Sequence, residues 1–297
     1  MRVFVTGATG FIGSAIVKQL LGAGHRVLGL ARSEAAAASL VAAGAEVHRG
    51  ELADPGSLRR GAAAADGVIH TGFIHDFANF KAACETDRHA IEALGSALAE
   101  SRRPLIVTSG TGLLAPGQLA REDDVHASGP DAFPRVASEE AAAALVSRGV
   151  RVAVMRLPPS VHGDGDHGFV PALIGIARTT GVSAYVGDGA NRWPAVHRLD
   201  AARLYRLAIE SEFSPGARFH GIAEEGIAFR SIAAVIGRHL NLPVVGKTPA
   251  EAAAHFGWFA RFAALDCPAS SRQTQDRLDW RPMHTGLIAD LDRPDYA

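Results

Sequence analysis

Cysteine, lysine and tyrosine are all scarce in this chain of 297 residues. Cys84 and Cys267 are its two cysteines, far apart and in no paired motif. That excludes a disulfide framework and leads us to expect a reduced, cytoplasmic protein. Lysine occurs only as Lys18, Lys81 and Lys247, and tyrosine only as Tyr185, Tyr205 and Tyr296. Long apolar runs are also missing: none approaches the roughly 18 residues that a membrane span needs. No signal peptide is expected ahead of the first apolar stretch. The formal net charge is -1, so neither a nucleic acid nor a charged membrane surface is an expected partner. The histidines and carboxylates show no metal-ligand spacing, and no metal site is expected.

The informative part is the opening. Val3, Phe4 and Val5 predict a buried strand, and Thr6 to Gly13 predict a glycine loop feeding a helix. Gly7 suits a tight turn, Gly10 lets backbone N–H groups approach a diphosphate, and Gly13 lets helix and strand pack closely. Ile12, Ile16 and Leu20 follow at helical spacing, Gly22-Ala23-Gly24 breaks the helix, and Val27 to Leu30 supply a second strand. A strand–helix–strand unit of about 30 residues with this loop is the context a dinucleotide site requires. The helix dipole would favour the phosphates at its start.

Further short apolar strands, Glu46–His48, Val68–His70, Leu105–Val107 and Val152–Met155, alternate with Ala-rich helical stretches such as Lys81–Glu100 and Ser138–Ser147. This alternation predicts an α/β fold, a Rossmann-type doubly wound parallel sheet with ligands at the carboxyl ends of its strands. After Leu157 the pattern loosens around Pro158-Pro159, Gly163-Asp164-Gly165 and Gly187-Asp188-Gly189. Residues 1–157 plus 193–223 are therefore expected to form the dinucleotide-binding domain, with 193–223 returning to the main sheet. Residues 158–192 plus 224–297 are expected to form a smaller substrate lobe.

Taken in order, Thr6-Gly7-Ala8-Thr9-Gly10-Phe11-Ile12-Gly13, Arg49-Gly50-Glu51-Leu52-Ala53-Asp54, Val68-Ile69-His70-Thr71-Gly72, Arg156-Leu157-Pro158-Pro159-Ser160-Val161-His162-Gly163, Trp193 to Asp200 and Arg277-Leu278-Asp279-Trp280-Arg281-Pro282 resemble motifs of the extended short-chain dehydrogenase/reductase superfamily. That branch includes sugar-nucleotide epimerases, dehydratases and hydroxysteroid dehydrogenases. The resemblance implies a nicotinamide coenzyme held by Gly7, Thr9, Gly10, Phe11, Ile12 and Gly13. It places Glu51 and Leu52 beside the adenine, Thr71, Gly72 and Phe73 beside the ribose, and Pro158 beside the nicotinamide. It also implies a Tyr-x-x-x-Lys proton relay, and here the chain departs from the pattern. No tyrosine has lysine four residues on. Arg135 and Glu139 occupy the corresponding places, and Gly110 stands where the strand serine belongs.

Arginine holds its proton at any working pH, so Arg135 cannot deliver and recover one. A structural Arg135–Glu139 pair across one helical turn is the expectation, with a redesigned relay as the alternative. Candidate replacements are Ser109 and Thr111 as hydrogen-bond partners of a carbonyl oxygen, with His75, His162, His167, His197 or Tyr185 near the reacting centre. Packing or surface placement is the plainer explanation for each single histidine, and His70 is expected in the core. Arg32 and Ser33, at the end of the second strand, favour NADP over NAD, because a guanidinium fork suits a 2′-phosphate. Phe77, Ser160, Phe169, Tyr185, Trp193 and His197, with Phe73, outline an expected pocket for a small or medium apolar carbonyl compound. The aromatic segment His255 to Phe262 is expected in the core of the second lobe or in a homodimer contact. An NAD(P)(H)-dependent oxidoreductase is the leading reading. A non-catalytic NADP-binding regulator and an epimerase or dehydratase are the alternatives.

Overall fold

The first strand shows how the molecule divides into layers. In β1 (Arg2–Thr6), Val3 and Val5 enter one hydrophobic core and Phe4 enters another. Successive side chains of a strand point to opposite faces, so an unbroken apolar run is buried on both. The computed structural model describes residues 1–127, 132–294 and 296.

The chain continues through α1 (Phe11–Gly22), β2 (Arg26–Ala31), α2 (Glu34–Ala42), β3 (Glu46–Arg49), α3 (Pro55–Ala63), β4 (Gly67–His70) and α4 (Phe80–Ser96). It then forms β5 (Leu105–Gly110), α5 (Ala137–Ser147), β6 (Val152–Leu157), β7 (Ser160–His162), α6 (Phe169–Thr180), β8 (Ser183–Val186) and β9 (Arg192–His197). The last elements are α7 (Arg198–Glu210), β10 (Ala217–His220), β11 (Glu224–Ala228), α8 (Phe229–Leu240), β12 (Val244–Lys247), α9 (Pro249–Phe256), α10 (Ala260–Ala263), α11 (Arg272–Leu278) and α12 (Leu287–Leu291).

Seven strands in the order β10-β6-β5-β4-β1-β2-β3 make one sheet, and every pairing in it is parallel. One face carries α1 and α7 through Ile16, Leu20, Leu204 and Tyr205; the other carries α3, α4 and α5 through Leu58, Ile91, Leu94 and Leu145. This is the doubly wound arrangement that the alternation of elements predicts. The helix expected over Lys81–Glu100 ends at Ser96, and Glu100 lies in the left-handed region with φ 57°.

A third core gathers Val170, Trp193, Phe229, Ile232, Phe256, Phe259 and Leu287 from the later part of the chain. Around it lie a three-stranded sheet, β11-β9-β7, and the parallel pair β12-β8. One expectation needs correction. The segment 193–223 returns to the main sheet through α7 and β10, but β9 does not join that sheet. Its Ala195 and Val196 pair with Ser160 and Val161 of β7, and its Trp193 is buried in the third core. The aromatic payload of Trp193 pulls the strand toward that core.

Candidate functional site

The glycine loop lies between β1 and α1. Gly7 has φ +66°, and a Cβ there would stand 2.7 Å from the Gly72 backbone nitrogen. At Gly13 a Cβ would lie 2.0 Å from the Gly7 carbonyl oxygen, so only glycine lets α1 approach the turn. Gly10 is the helix N-cap and donates its N–H to the Gly7 carbonyl at 2.8 Å. No side chain caps α1, so its first-turn N–H groups are left for a ligand or water. Thr9 and Gly10 are exposed, Phe11 and Ile12 half-buried. A Cβ at Gly10 would meet only the Gly7 carbonyl oxygen, at 3.1 Å, which leaves the loop open on its outer side. This cradle fits the bridging phosphates of a dinucleotide.

The neighbouring strand ends are stitched to the loop. Thr71 donates to the Thr6 carbonyl at 2.8 Å, and the Gly72 N–H donates to Thr6 Oγ1 at 3.1 Å. Leu52 packs against Gly72, Glu51 is exposed, and Pro158 is buried just beyond β6. Arg32 is exposed and has no acidic partner among the described residues, whereas the nearby Arg49 is held by Glu34 at 2.6 Å and by the Ser33 carbonyl. Ser33 caps α2 by accepting the Ala36 N–H. Arg32 is therefore an exposed cation without an acidic partner among the described residues at the end of β2.

A buried polar chain runs from this turn to Arg135. Thr6 Oγ1 and His70 Nδ1 are 2.7 Å apart, and His70 Nε2 lies 3.0 Å from Asp87 Oδ1. With Nε2–H donating to Asp87, Nδ1 accepts from the Thr6 hydroxyl, which itself accepts from Gly72. Asp87 Oδ2 accepts from Arg135 at 2.6 Å and from the Ser138 hydroxyl at 2.6 Å. Burial alone would raise the Asp87 pKa, but the Arg135 charge and the His70 and Ser138 hydrogen bonds hold it well below the usual carboxylate range. Arg135 also donates to the Thr108 carbonyl at 3.1 Å, and its guanidinium lies 4.2 Å over the Phe73 ring. His70 is thus a satisfied core residue.

The expected Arg135–Glu139 pair does not form. Arg135 sits in a 3₁₀ turn, Pro134–Val136, ahead of α5, so the four-residue helical spacing does not bring the two side chains together. Glu139 instead takes both arms of the fully buried Arg156, at 2.9 and 2.7 Å, and accepts the Ser109 hydroxyl at 2.7 Å. Burial pushes its pKa up, and the Arg156 hydrogen bonds and charge bring it below the ordinary value. Ser109 is consumed by this pair. Thr111, just beyond β5, is buried with a hydroxyl that has no hydrogen-bond partner among the described residues, and so is Ser160.

Of the histidines, His75 stands by Arg135. Its ring meets Phe73 edge to face at 5.2 Å and keeps an exposed side. Partial desolvation, then the Arg135 charge, lower its pKa below the ordinary value. His167 meets Phe11 edge to face at 5.6 Å, over the start of α1. His162 and His197 have partners of their own. His162 is buried with Nδ1 2.8 Å from Asp290, while His197 accepts the Leu199 N–H and stacks on His284 at 4.7 Å.

The pocket residues also separate. Phe77 and Phe169 meet at 6.0 Å, and Phe77 stacks on Trp258 at 4.4 Å. Phe80, Phe133 and Phe262 complete this aromatic wall. Trp193 is fully buried behind it, 4.9 Å from Phe229. Tyr185 lies apart, on β8, with its ring against Gly189 and Gly246. The segment His255 to Phe262 is split: Phe256 and Phe259 enter the third core, and Trp258 is half-exposed on the wall. Asp87 and Phe133 are site residues the sequence reading passed over. The spacing of Ala83, Cys84, Asp87, Ala90, Ile91 and Leu94 carries a signal for the first, an acid inside an apolar helical stripe. Burial pushes the Cys84 and Cys267 thiols up to about 11 and about 12, which leaves both inert. No cluster of metal-ligating side chains occurs among the described residues.

Residues 3–219 match the model of the NAD dependent epimerase/dehydratase family. An uncharacterised protein of Schizosaccharomyces pombe is 50% identical over 292 residues, covering 98% of each chain. A 2-alkyl-3-oxoalkanoate reductase of Stenotrophomonas maltophilia is 29% identical over 75% of this chain and 69% of its own. The UDP-glucose 4-epimerase of Thermus thermophilus, solved with NAD, superposes with a TM-score of 0.75 at 21% identity, over 98% of this chain and 97% of its own.

Proposed function

Because the chain belongs to the NAD dependent epimerase/dehydratase family, we propose that it is an oxidoreductase that moves hydride between NADP(H) and a small or medium, mainly apolar carbonyl compound or its alcohol. The observation that carries this reading is the open glycine cradle packed on Thr71 and Gly72, with Phe73 next in the chain bearing Arg135 and His75 and leading through Phe80 to the aromatic cluster of Phe77, Phe169 and Trp258. The similarity to a reductase supports a carbonyl substrate.

Gly7, Gly10, Gly13 and the start of α1 would hold the coenzyme's diphosphate, Arg32 its 2′-phosphate, and Thr71, Gly72 and Phe73 the edge of its ribose. A nicotinamide bound there supplies or accepts the hydride. Phe77, Phe169, Trp258 and Phe262 would bind an apolar substrate and exclude water from its face. Arg135 is fixed by Asp87 and the Thr108 carbonyl, so its positive field favours the negative oxygen that develops when a carbonyl is reduced. His75 gives that oxygen its proton and recovers one from solvent through its exposed side. The Thr111 hydroxyl is free to hydrogen-bond the same oxygen. Epimerase or dehydratase chemistry is the runner-up, and the absent Tyr-x-x-x-Lys pair weighs against it.

A panel of aliphatic and aromatic aldehydes and ketones, followed through NADPH absorbance, tests the reading. Turnover is expected with apolar aldehydes or ketones. Tight coenzyme binding with no oxidation across the panel would favour a non-catalytic regulator instead. Calorimetry should show NADPH binding more tightly than NADH by on the order of tenfold, with Arg32→Ala erasing the difference. Equal affinities in the unaltered protein would refute the role given to Arg32.

A further inference from the structure

We infer that Arg198 is a coenzyme-positioning residue that reaches from the start of α7 to clamp the bridging diphosphate. The inference rests on the coenzyme reading above and adds a residue to it.

Arg198 opens α7, where β9 ends, yet its side chain crosses to the first turn of α1. Its guanidinium lies 4.5 Å over the Phe11 ring and donates to Ser14 Oγ at 3.0 Å and to the Asp164 carbonyl at 2.7 Å. Both acceptors are uncharged. Two carboxylates, Asp164 and Asp166, act on Arg198 only through their field and do not hydrogen-bond it: Asp164 pairs with Arg293 at 2.8 Å, and Asp166 accepts the Tyr296 hydroxyl at 2.6 Å. The Arg198 Nε is buried and has no hydrogen-bond partner among the described residues.

A guanidinium without a directly paired carboxylate is thus held against the positive end of a helix whose first N–H groups carry no side-chain cap. Two like charges placed together repel unless an anion joins them. Ser14 is three residues past Phe11, about 4.5 Å along the helix axis. An anion on the first-turn amides is therefore within reach of a small swing of the arginine. Arginine suits it for the same reason it suits phosphates in general, a planar fork of donors. Arg198 already joins the 163–168 loop, through the Asp164 carbonyl, to the first turn of α1, so a bound diphosphate would be held from both segments.

Calorimetry with NADP+ and with adenosine 2′-phosphate, which lacks the bridging phosphates, tests the clamp. Arg198→Met should weaken NADP+ by on the order of 10- to 100-fold and leave adenosine 2′-phosphate unchanged. Arg198→Lys, which keeps the charge without the fork, should fall between. Unchanged NADP+ affinity in Arg198→Met would overturn the assignment. So would equal weakening of both ligands, the mark of a merely structural contact between Arg198 and Phe11. Should the methionine variant not fold, the lysine variant decides alone: selective weakening of NADP+ supports the clamp, and no weakening or equal weakening overturns it. If the unaltered protein binds neither ligand, the coenzyme reading itself fails.

Discussion

Replacing Gly13 by alanine should abolish coenzyme binding, raising the dissociation constant by on the order of 100-fold or more, since displacements of about an ångström carry effects of that size. The added methyl would sit 2.0 Å from the Gly7 carbonyl oxygen and 2.8 Å from the Gly7 carbonyl carbon. Both are backbone atoms that cannot rotate away, so α1 must withdraw from the turn. Overpacking of this kind costs about 1–3 kcal/mol in stability. A fall in melting temperature should therefore accompany the binding loss. Gly22→Ala is the control, because a Cβ there meets nothing within 4 Å. Calorimetry on both variants checks the prediction, and wild-type affinity in Gly13→Ala would contradict it.

His75→Gln should lower kcat for carbonyl reduction by about 100-fold or more, the usual scale of a lost general acid. Its pH dependence makes the role testable. Partial desolvation and the Arg135 charge lower the pKa of His75 below 6.5. Reduction needs the protonated ring, so its rate should rise as pH falls through that lowered value. Alcohol oxidation needs the neutral ring and should fall over the same range. Arg135→Met removes a positive neighbour and should move both profiles to higher pH. A His75→Gln profile that still bends below neutrality would assign the proton to another group. Asp87 is the partner to watch in such variants, because removing Arg135 leaves a buried carboxylate with only His70 and Ser138 as its partners, at a cost of about 3–5 kcal/mol.

Much of the fold can be read without coordinates, since β1, β2, β4, β5 and β6 are short apolar runs buried on both faces. Alternation along Val152, Ala153, Val154 and Met155 sends successive side chains to the two cores, as a period of two requires. Partnerships between distant side chains are harder to read. Arg135 and Glu139 have helical spacing in the sequence, but a 3₁₀ turn breaks the phase and gives each a partner from elsewhere, Asp87 and Arg156. His162, His197 and Tyr185 follow segments that the one-dimensional pattern puts near the site, and their partners come from far along the chain, Asp290, His284 and the β8–β12 pair.

The amino-acid order alone determined the doubly wound sheet, the tight turn at Gly7 and the lack of a Tyr-x-x-x-Lys pair, because each is signalled by residues close together in the chain. Only the tertiary structure decided which charges neutralise one another and which aromatic rings share a wall. The decisive contacts, Asp87–Arg135, Glu139–Arg156 and Phe77–Trp258, join residues tens to more than a hundred positions apart, and nothing in local spacing encodes the distance between them.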